Sequence, residues 1–325
     1  MDTFLDESQT FMRAITDSFH LVNTSRAGLE LLSGQVSRVV TAGADDRVIE
    51  ALFPMPDGTT GQNLRAHTLR DQAAKDRDLA EMWLFVAFAR YETWAESLEV
   101  EYGIAGASRA SQFAYAHQGA PGYGDVFPTM SIDRTMDAIY SQAVSADNLY
   151  LSSTPIVEAA LQLFRFYKEV RNSFVHSNAR ANVRLATASV NAQAALVTLQ
   201  GATTLRTGAV PILTVGDPVS VSLALVRDVI ALLRRLVFTI DAHLLLSPIG
   251  VAEFERRWIQ KYGSNPVNVS LSKLKRPAWF NAHVSHALAM PSPPLSGRTD
   301  GAVWPPASRE AFVDFATPRW MIRRT

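Results

Sequence analysis

The chain of 325 residues contains no cysteine. Disulfide bonds, zinc sites built on thiolates, iron–sulfur ligation and thiol nucleophiles are therefore excluded. The absence of cysteine also fits a reducing compartment, and we expect a cytoplasmic protein.

The chain also lacks a long hydrophobic run without charges. Its most apolar stretch, residues 223–246, contains Arg227, Asp228, Arg234, Arg235, Asp241 and His243, and charges at this density are costly in a bilayer. The first residues are acidic and lack the basic start and apolar run of a secretion signal. These patterns predict neither membrane insertion nor export.

Several motifs of common enzymes are missing. The sequence contains no Gly-x-Ser-x-Gly, no Gly-x-x-x-x-Gly-Lys-Ser/Thr and no His-Glu-x-x-His. The glycine-rich segment 103–124 lacks the spacing of a dinucleotide site and is interpreted as a loop. His283 and His286 have a spacing that suits a metal, but no third ligand is evident near them, which favours ordinary packing roles. We therefore expect no cofactor and no metal.

Apolar periodicity predicts a mainly α protein, and 47% hydrophobic residues are enough for a sizeable core. Helices are expected at residues 3–21, 26–40, 64–99, 131–147, 154–178 and 220–246. Two short strands are expected between residues 183 and 215, paired as a small β-hairpin insertion.

Three regions are predicted along the chain. They are an N-terminal helical segment (1–60), a helical bundle (61–247), and a C-terminal region (248–325) that contains proline and tryptophan. The overall net charge is zero, yet residues 251–325 have eight Arg and three Lys against five acids, about +6. Such a basic end can help to hold RNA. It can equally be a solvated tail that packs its tryptophans.

The residues that point to chemistry are Arg171, Asn172 and His176 on the helix predicted at 154–178. In a chain of this composition, roughly 0.5 chance occurrences of an Arg followed five residues later by a His are expected. Requiring an Asn directly after the Arg lowers this expected number to about 0.02. Arg can hold a phosphate by two parallel hydrogen bonds, and His can move protons near neutral pH. The set suits RNA cleavage by the adjacent 2′-hydroxyl, with His176 transferring a proton at the 2′- or 5′-oxygen and Arg171 stabilising the phosphate. This reaction needs no metal.

Helix geometry limits how these residues can cooperate. Arg171 and His176 lie about 140° apart on an ideal helix, whereas Asn172 and His176 are one turn apart. We therefore expect Asn172 to orient His176. Arg171 and His176 can face a common point only if the helix ends or bends near His176, or if two copies meet about a twofold axis and pool their residues.

Across residues 61–247 the chain resembles the HEPN superfamily. The resemblance rests on a long helix with Tyr91-Glu92 that precedes a helix with Arg-Asn-x-x-Val-His, here Arg171, Asn172 and His176. It implies a HEPN-like helical bundle, with helical or irregular flanks, that acts as a metal-independent endoribonuclease. It also implies a homodimer in a toxin–antitoxin or anti-phage system, with an antitoxin or defence protein as a possible partner, and Glu92 as a second residue behind the site.

Two other interpretations stay open. One is a non-catalytic HEPN-like scaffold or nucleic-acid-binding protein, and another is a purely structural helical assembly. Under either, Arg171 and His176 are a cation and a polar residue placed favourably near a helix C-terminus.

Overall fold

The computed structural model describes residues 3–54, 63–104, 113, 122–127, 130–203, 208–263, 266–269, 279, 283–284, 306–316, 319 and 321–324. The helices in this part of the chain are α1 (Asp6–Thr41), α2 (Asp46–Leu52), α3 (Leu64–Thr68), α4 (Gln72–Tyr102), α5 (Tyr123–Val126), α6 (Arg134–Ala146), α7 (Thr154–His176), α8 (Val183–Ala202), α9 (Leu223–Leu245), α10 (Pro248–Tyr262) and α11 (Pro306–Ala316). Two three-residue strands, β1 (Val267–Val269) and β2 (Ile322–Arg324), pair in parallel. The predicted mainly α fold is confirmed.

Helix α9 lies at the centre of the core. It packs against α1, α4, α7 and α10, and its apolar residues are buried around most of its circumference. Ser222 caps its first turn by accepting a hydrogen bond from the Leu225 amide at 3.2 Å. The helix predicted at 220–246 is thus confirmed to within three residues.

Helix α1 is one helix, although the sequence predicted two. The polar residues between the predicted helices do not interrupt it, because the exposed Asn23 side chain donates to the Phe19 carbonyl one turn earlier, at 2.8 Å. In the opposite direction, the single helix predicted at 64–99 is divided. Asp71 adopts an extended ψ of 137° and separates α3 from α4.

The predicted buried face of α4 is correct only in part. Leu79, Trp83 and Tyr91 are buried, but Met82 is 50% exposed and Val86 is 36% exposed. Aromatic packing explains which side turns inward, because the ring centres of Phe88 and Tyr91 lie 5.6 and 5.0 Å from that of Phe164 on α7, in tilted arrangements.

The predicted β-hairpin insertion is wrong: residues 183–202 form α8, and the described residues 208–215 contain no strand. Asn182 starts this helix by accepting a hydrogen bond from the Leu185 amide at 3.0 Å, and α8 packs along α7. Leu185, Ala192 and Leu199 are buried at helical spacing. The strand prediction relied on the β-branched residues of this segment, but burial against α7 decides its structure.

The start of the chain is tied to α9 and α10. The buried Asp241 carboxylate accepts hydrogen bonds from the Phe4 amide at 2.5 Å and the Leu5 amide at 2.9 Å. Arg257 on α10 donates to the Phe4 carbonyl at 2.8 Å, and its guanidinium lies 4.9 Å from the centre of the Phe4 ring. One buried hydrophobic cluster includes residues from all three predicted regions.

None of the helices in the described ranges is long and apolar enough to cross a membrane.

Candidate active site at the end of helix α7

The end of α7 is fixed by the turn that follows it. The Ser173 carbonyl accepts hydrogen bonds from the amides of Ser177 and Ala179, at 3.0 and 3.1 Å. Asn178 and Ala179 then adopt positive φ angles of 48° and 55°, and the chain reverses into α8. The helix therefore ends at His176, two residues before the predicted end. This satisfies the first of the two conditions under which Arg171 and His176 can face a common point.

Arg171 lies at the boundary between the core and the surface, with 19% of its side chain exposed. Its Nη2 is 2.5 Å from Oε1 of Glu92 on α4, whose side chain is 15% exposed. The guanidinium also lies 5.8 Å from the centre of the Phe88 ring. A half-buried cation requires such a counter-charge, and the structure brings together Glu92 and Arg171 as the sequence suggested.

Asn172 has a different partner from the one predicted. Its Oδ1 accepts a hydrogen bond from Nη1 of Arg171 at 3.1 Å, and no hydrogen bond joins Asn172 to His176 within the described part of the chain. The predicted orienting contact is therefore not formed. A guanidinium is a stronger donor than a neutral imidazole, and Arg171 directly precedes Asn172.

His176 is exposed at the last position of α7. Among the described residues it makes no hydrogen bond and no ion pair, so its imidazole is open to a ligand from solvent. The guanidinium of Arg171 still has donors to offer. Two of its five N–H groups bind Asn172 and Glu92, and Nε is shielded from solvent, so the donors left for a ligand are the remaining N–H groups of Nη1 and Nη2.

Lys168 is a member of this cluster that sequence reasoning missed. It lies one turn before Arg171 on the face of α7 turned to α4, and it is half-buried. Burial lowers the pKa of Lys168 to about 8, the nearby Glu92 carboxylate opposes this shift, and Arg165 and Arg171 add to it. The signal in the sequence was its spacing, four residues after the buried Phe164 and three before Arg171.

The surface around the cluster is cationic. Residues 161–202 contain five Lys or Arg and one Glu, a net charge of +4 in a chain whose total is zero. Arg165 and the buried Glu169 form an ion pair at 3.1 Å. Arg180 and Arg184 are exposed where α7 turns into α8, so exposed positive charge follows His176 within eight residues of the chain.

Among the described residues, the other histidines considered from the sequence have ordinary packing partners. His283 accepts or donates a hydrogen bond with the Tyr262 hydroxyl at 3.1 Å, while His286 and most of the glycine-rich segment 103–124 lie outside the described residues. His243 is half-buried beside the Tyr123 hydroxyl at 2.8 Å, and burial lowers its pKa. No group of His, Asp and Glu that could hold a metal occurs in the described ranges.

Comparison of the chain with protein-family models, curated proteins and solved structures finds no match.

Proposed function

We propose that the protein is a metal-independent endoribonuclease whose site is the end of α7. The observation that supports this proposal best is the cluster that Glu92 on α4 forms with Arg171 and Asn172 in the last turns of the helix that ends at an exposed His176. A fixed guanidinium and a solvent-facing imidazole are the two groups that phosphate transfer at neutral pH requires.

In the proposed reaction, Arg171 binds the scissile phosphate and stabilises the charge that develops on its oxygens. His176 takes the proton of the adjacent 2′-hydroxyl as its oxygen attacks phosphorus. The P–O2′ bond forms, the P–O5′ bond breaks, and the leaving 5′-oxygen takes a proton from water. Glu92 is a positioning residue, because it holds Arg171 and does not touch the phosphate.

The positive charge near the site supports RNA as the ligand. A net charge of +4 in residues 161–202 attracts a phosphate backbone, and this attraction weakens as salt rises. The ribose 2′-hydroxyl supplies the nucleophile, so DNA of the same sequence is not a substrate.

We further propose that the protein acts in the cytoplasm as a homodimer and serves as a toxin or anti-phage effector, restrained by an antitoxin or defence partner. Growth arrest on expression of the wild type, together with normal growth on expression of His176→Ala, would support this role. Equal growth of the two strains at matched protein levels would contradict it.

The enzymatic test uses purified protein, EDTA, and total cellular RNA together with a randomised single-stranded RNA library. We expect the wild type to cut RNA, and His176→Ala and Arg171→Ala to lose at least about 100-fold in rate. His67→Ala is the matched control, because His67 is also exposed but lies on α3. Equal cleavage by the wild type and His176→Ala would refute the assignment.

A non-catalytic scaffold is the second candidate, and the Arg171–Glu92 ion pair favours it. An arginine enclosed by a carboxylate and an amide can serve packing alone. Under this alternative, Arg171→Ala lowers stability while no RNA is cut by any variant, the wild type included.

A further inference from the structure

The outer face of α8 carries almost no charge. The helix packs on α7 through Leu185, Ala192 and Leu199, and Arg184 is the one charged residue in its 20-residue span. Directly opposite the packed face, Val183, Val190 and Val197 are 68%, 55% and 74% exposed. Surface helices normally place charged residues on the outward face, and an exposed apolar stripe of this kind is typical of a protein–protein interface.

The exposed residues follow a seven-residue repeat. Val183, Val190 and Val197 are seven apart, and each is followed four residues later by a smaller residue. These smaller residues, Thr187, Ala194 and Gly201, are also exposed. Spacings of four and three in alternation are the pattern of a two-helix seam, in which each residue inserts between residues of the facing helix.

The pattern is complementary to itself when one copy is reversed. In an antiparallel pair centred on position 192, Val183 faces Gly201 of the second copy, Val190 faces Ala194 and Val197 faces Thr187. Every layer then holds one valine and one smaller residue, which gives an even spacing between the helices. A parallel pair would instead alternate Val–Val layers with gaps at Ala194 and Gly201.

We propose that two copies of this chain associate through the outer faces of their α8 helices, antiparallel, with each valine of one copy packed against a smaller residue of the other. The uncharged face neither repels its copy nor selects a charged partner or a phosphate backbone. From Val183 to Gly201 the seam is about 27 Å long. It buries roughly 1,000 Å² in total, which is at the low end for specific interfaces, so we expect a weak, concentration-dependent dimer.

This arrangement has a consequence for the proposed ribonuclease site, and this consequence alone rests on the proposed function. Val183 follows His176 by seven residues, so antiparallel α8 helices place the two His176 residues at opposite ends of the seam. Each chain then carries its own site, and the two copies do not pool their residues. A mixture of Arg171→Ala and His176→Ala is expected to stay inactive, whereas recovery of about a quarter of the activity would refute this consequence.

The seam itself is tested by sedimentation velocity between about 1 and 200 μM, without reference to RNA cleavage. We expect the wild type to move from the monomer mass of 35.7 kDa towards twice that value. Val190→Lys should weaken association at least tenfold, because it introduces two lysines near the centre of the seam. Val100→Lys is the matched control, since Val100 is 79% exposed on α4, and it should associate like the wild type. A wild type that stays monomeric throughout, or a Val190→Lys protein that associates equally well, would overturn the proposal.

The orientation is tested by single cysteines, which the cysteine-free chain allows. A Cβ at Gly201 meets no atom within 4 Å, so Gly201→Cys is accommodated. Under mild oxidation, a mixture of Val183→Cys and Gly201→Cys should form the mixed disulfide-linked dimer, and Val183→Cys alone should not. Efficient crosslinking of Val183→Cys to itself would show a parallel pair and refute the antiparallel arrangement.

Discussion

Asp241 gives the fold a specific dependence on pH. Burial raises the pKa of this carboxyl to about 6, although the hydrogen bonds from the Phe4 and Leu5 amides and from Ser8, and the charge of Arg257, oppose the shift. In the unfolded chain the pKa of an aspartate is about 3.9. The folded state therefore binds the proton more tightly than the unfolded state. The resulting stability is fully present below about pH 3.9 and is lost as the pH rises through about 6.

The magnitude follows from these two values. Between pH 7 and pH 5 the group contributes about 1.3 kcal/mol of additional unfolding free energy, out of about 3 kcal/mol available at still lower pH. Asp241→Asn abolishes the titration. The variant is less stable at every pH, because an amide offers one acceptor oxygen where the carboxylate accepts from both Phe4 and Leu5.

The assay is urea unfolding at pH 5, 6 and 7, followed by the fluorescence of the six tryptophans. Other carboxyl groups titrate in both proteins, so the informative quantity is the difference in unfolding free energy between the wild type and Asp241→Asn. We expect this difference to grow by about 1.3 kcal/mol from pH 7 to pH 5. A difference that stays constant or shrinks would refute the reasoning.

Three further predictions concern single side chains. Glu92→Gln should lower the unfolding free energy by about 1–3 kcal/mol, because it leaves the half-buried Arg171 without its counter-charge; urea unfolding measures this, with the exposed Glu99→Gln as the control. RNA affinity should fall between pH 7 and pH 9, because Lys168 loses its proton near its pKa of about 8, and Lys168→Arg should make the affinity less dependent on pH. Filter binding measures the affinity in the His176→Ala background, in which the RNA stays intact. Gly250→Ala should lower the Tm, because its Cβ would lie 2.0 Å from the Leu245 carbonyl oxygen, whereas Gly28→Ala in α1 meets no atom within 4 Å and should be tolerated.

Helices whose ends are marked by local chemistry could be predicted from the sequence. Pro155 lies in the first turn of α7, where a proline is favoured, and the start of α7 at Thr154 is as predicted. Ser222 caps α9, whose start was predicted three residues too early. The C-terminal end of α7 was placed two residues too far. It depends on positive φ angles at Asn178 and Ala179, which their residue types do not require.

Segment 183–202 shows why the rest of the fold could not be predicted. The apolar runs at 195–200 and 210–215, separated by glycines, suggested strands, and the residues that bury the helix, such as Leu185 and Leu199, are recognisable only once α7 is present to cover them. Tertiary packing therefore decided the structure against local β preference.

The sequence proposed the members of the candidate site, but it did not predict the hydrogen bonds among them. The sequence indicated Arg171, Asn172 and His176 as a set and suggested Glu92 behind them. It could not show that the Asn172 side-chain oxygen accepts a hydrogen bond from Arg171 and not from His176. That contact depends on how Glu92 on α4 holds the guanidinium. Lys168 joins the cluster for the same reason, through the packing of α7 on α4.

The most direct test of the central claim is to identify the ends of RNA fragments produced in EDTA by the wild-type protein. Attack by the 2′-hydroxyl predicts a 2′,3′-cyclic phosphate on one fragment and a 5′-hydroxyl on the other, with no cleavage when the 2′-hydroxyls are methylated. It also predicts that His176→Ala yields neither end. Fragments with 5′-phosphate ends, cleavage of the methylated RNA, or unchanged products from His176→Ala would contradict the account.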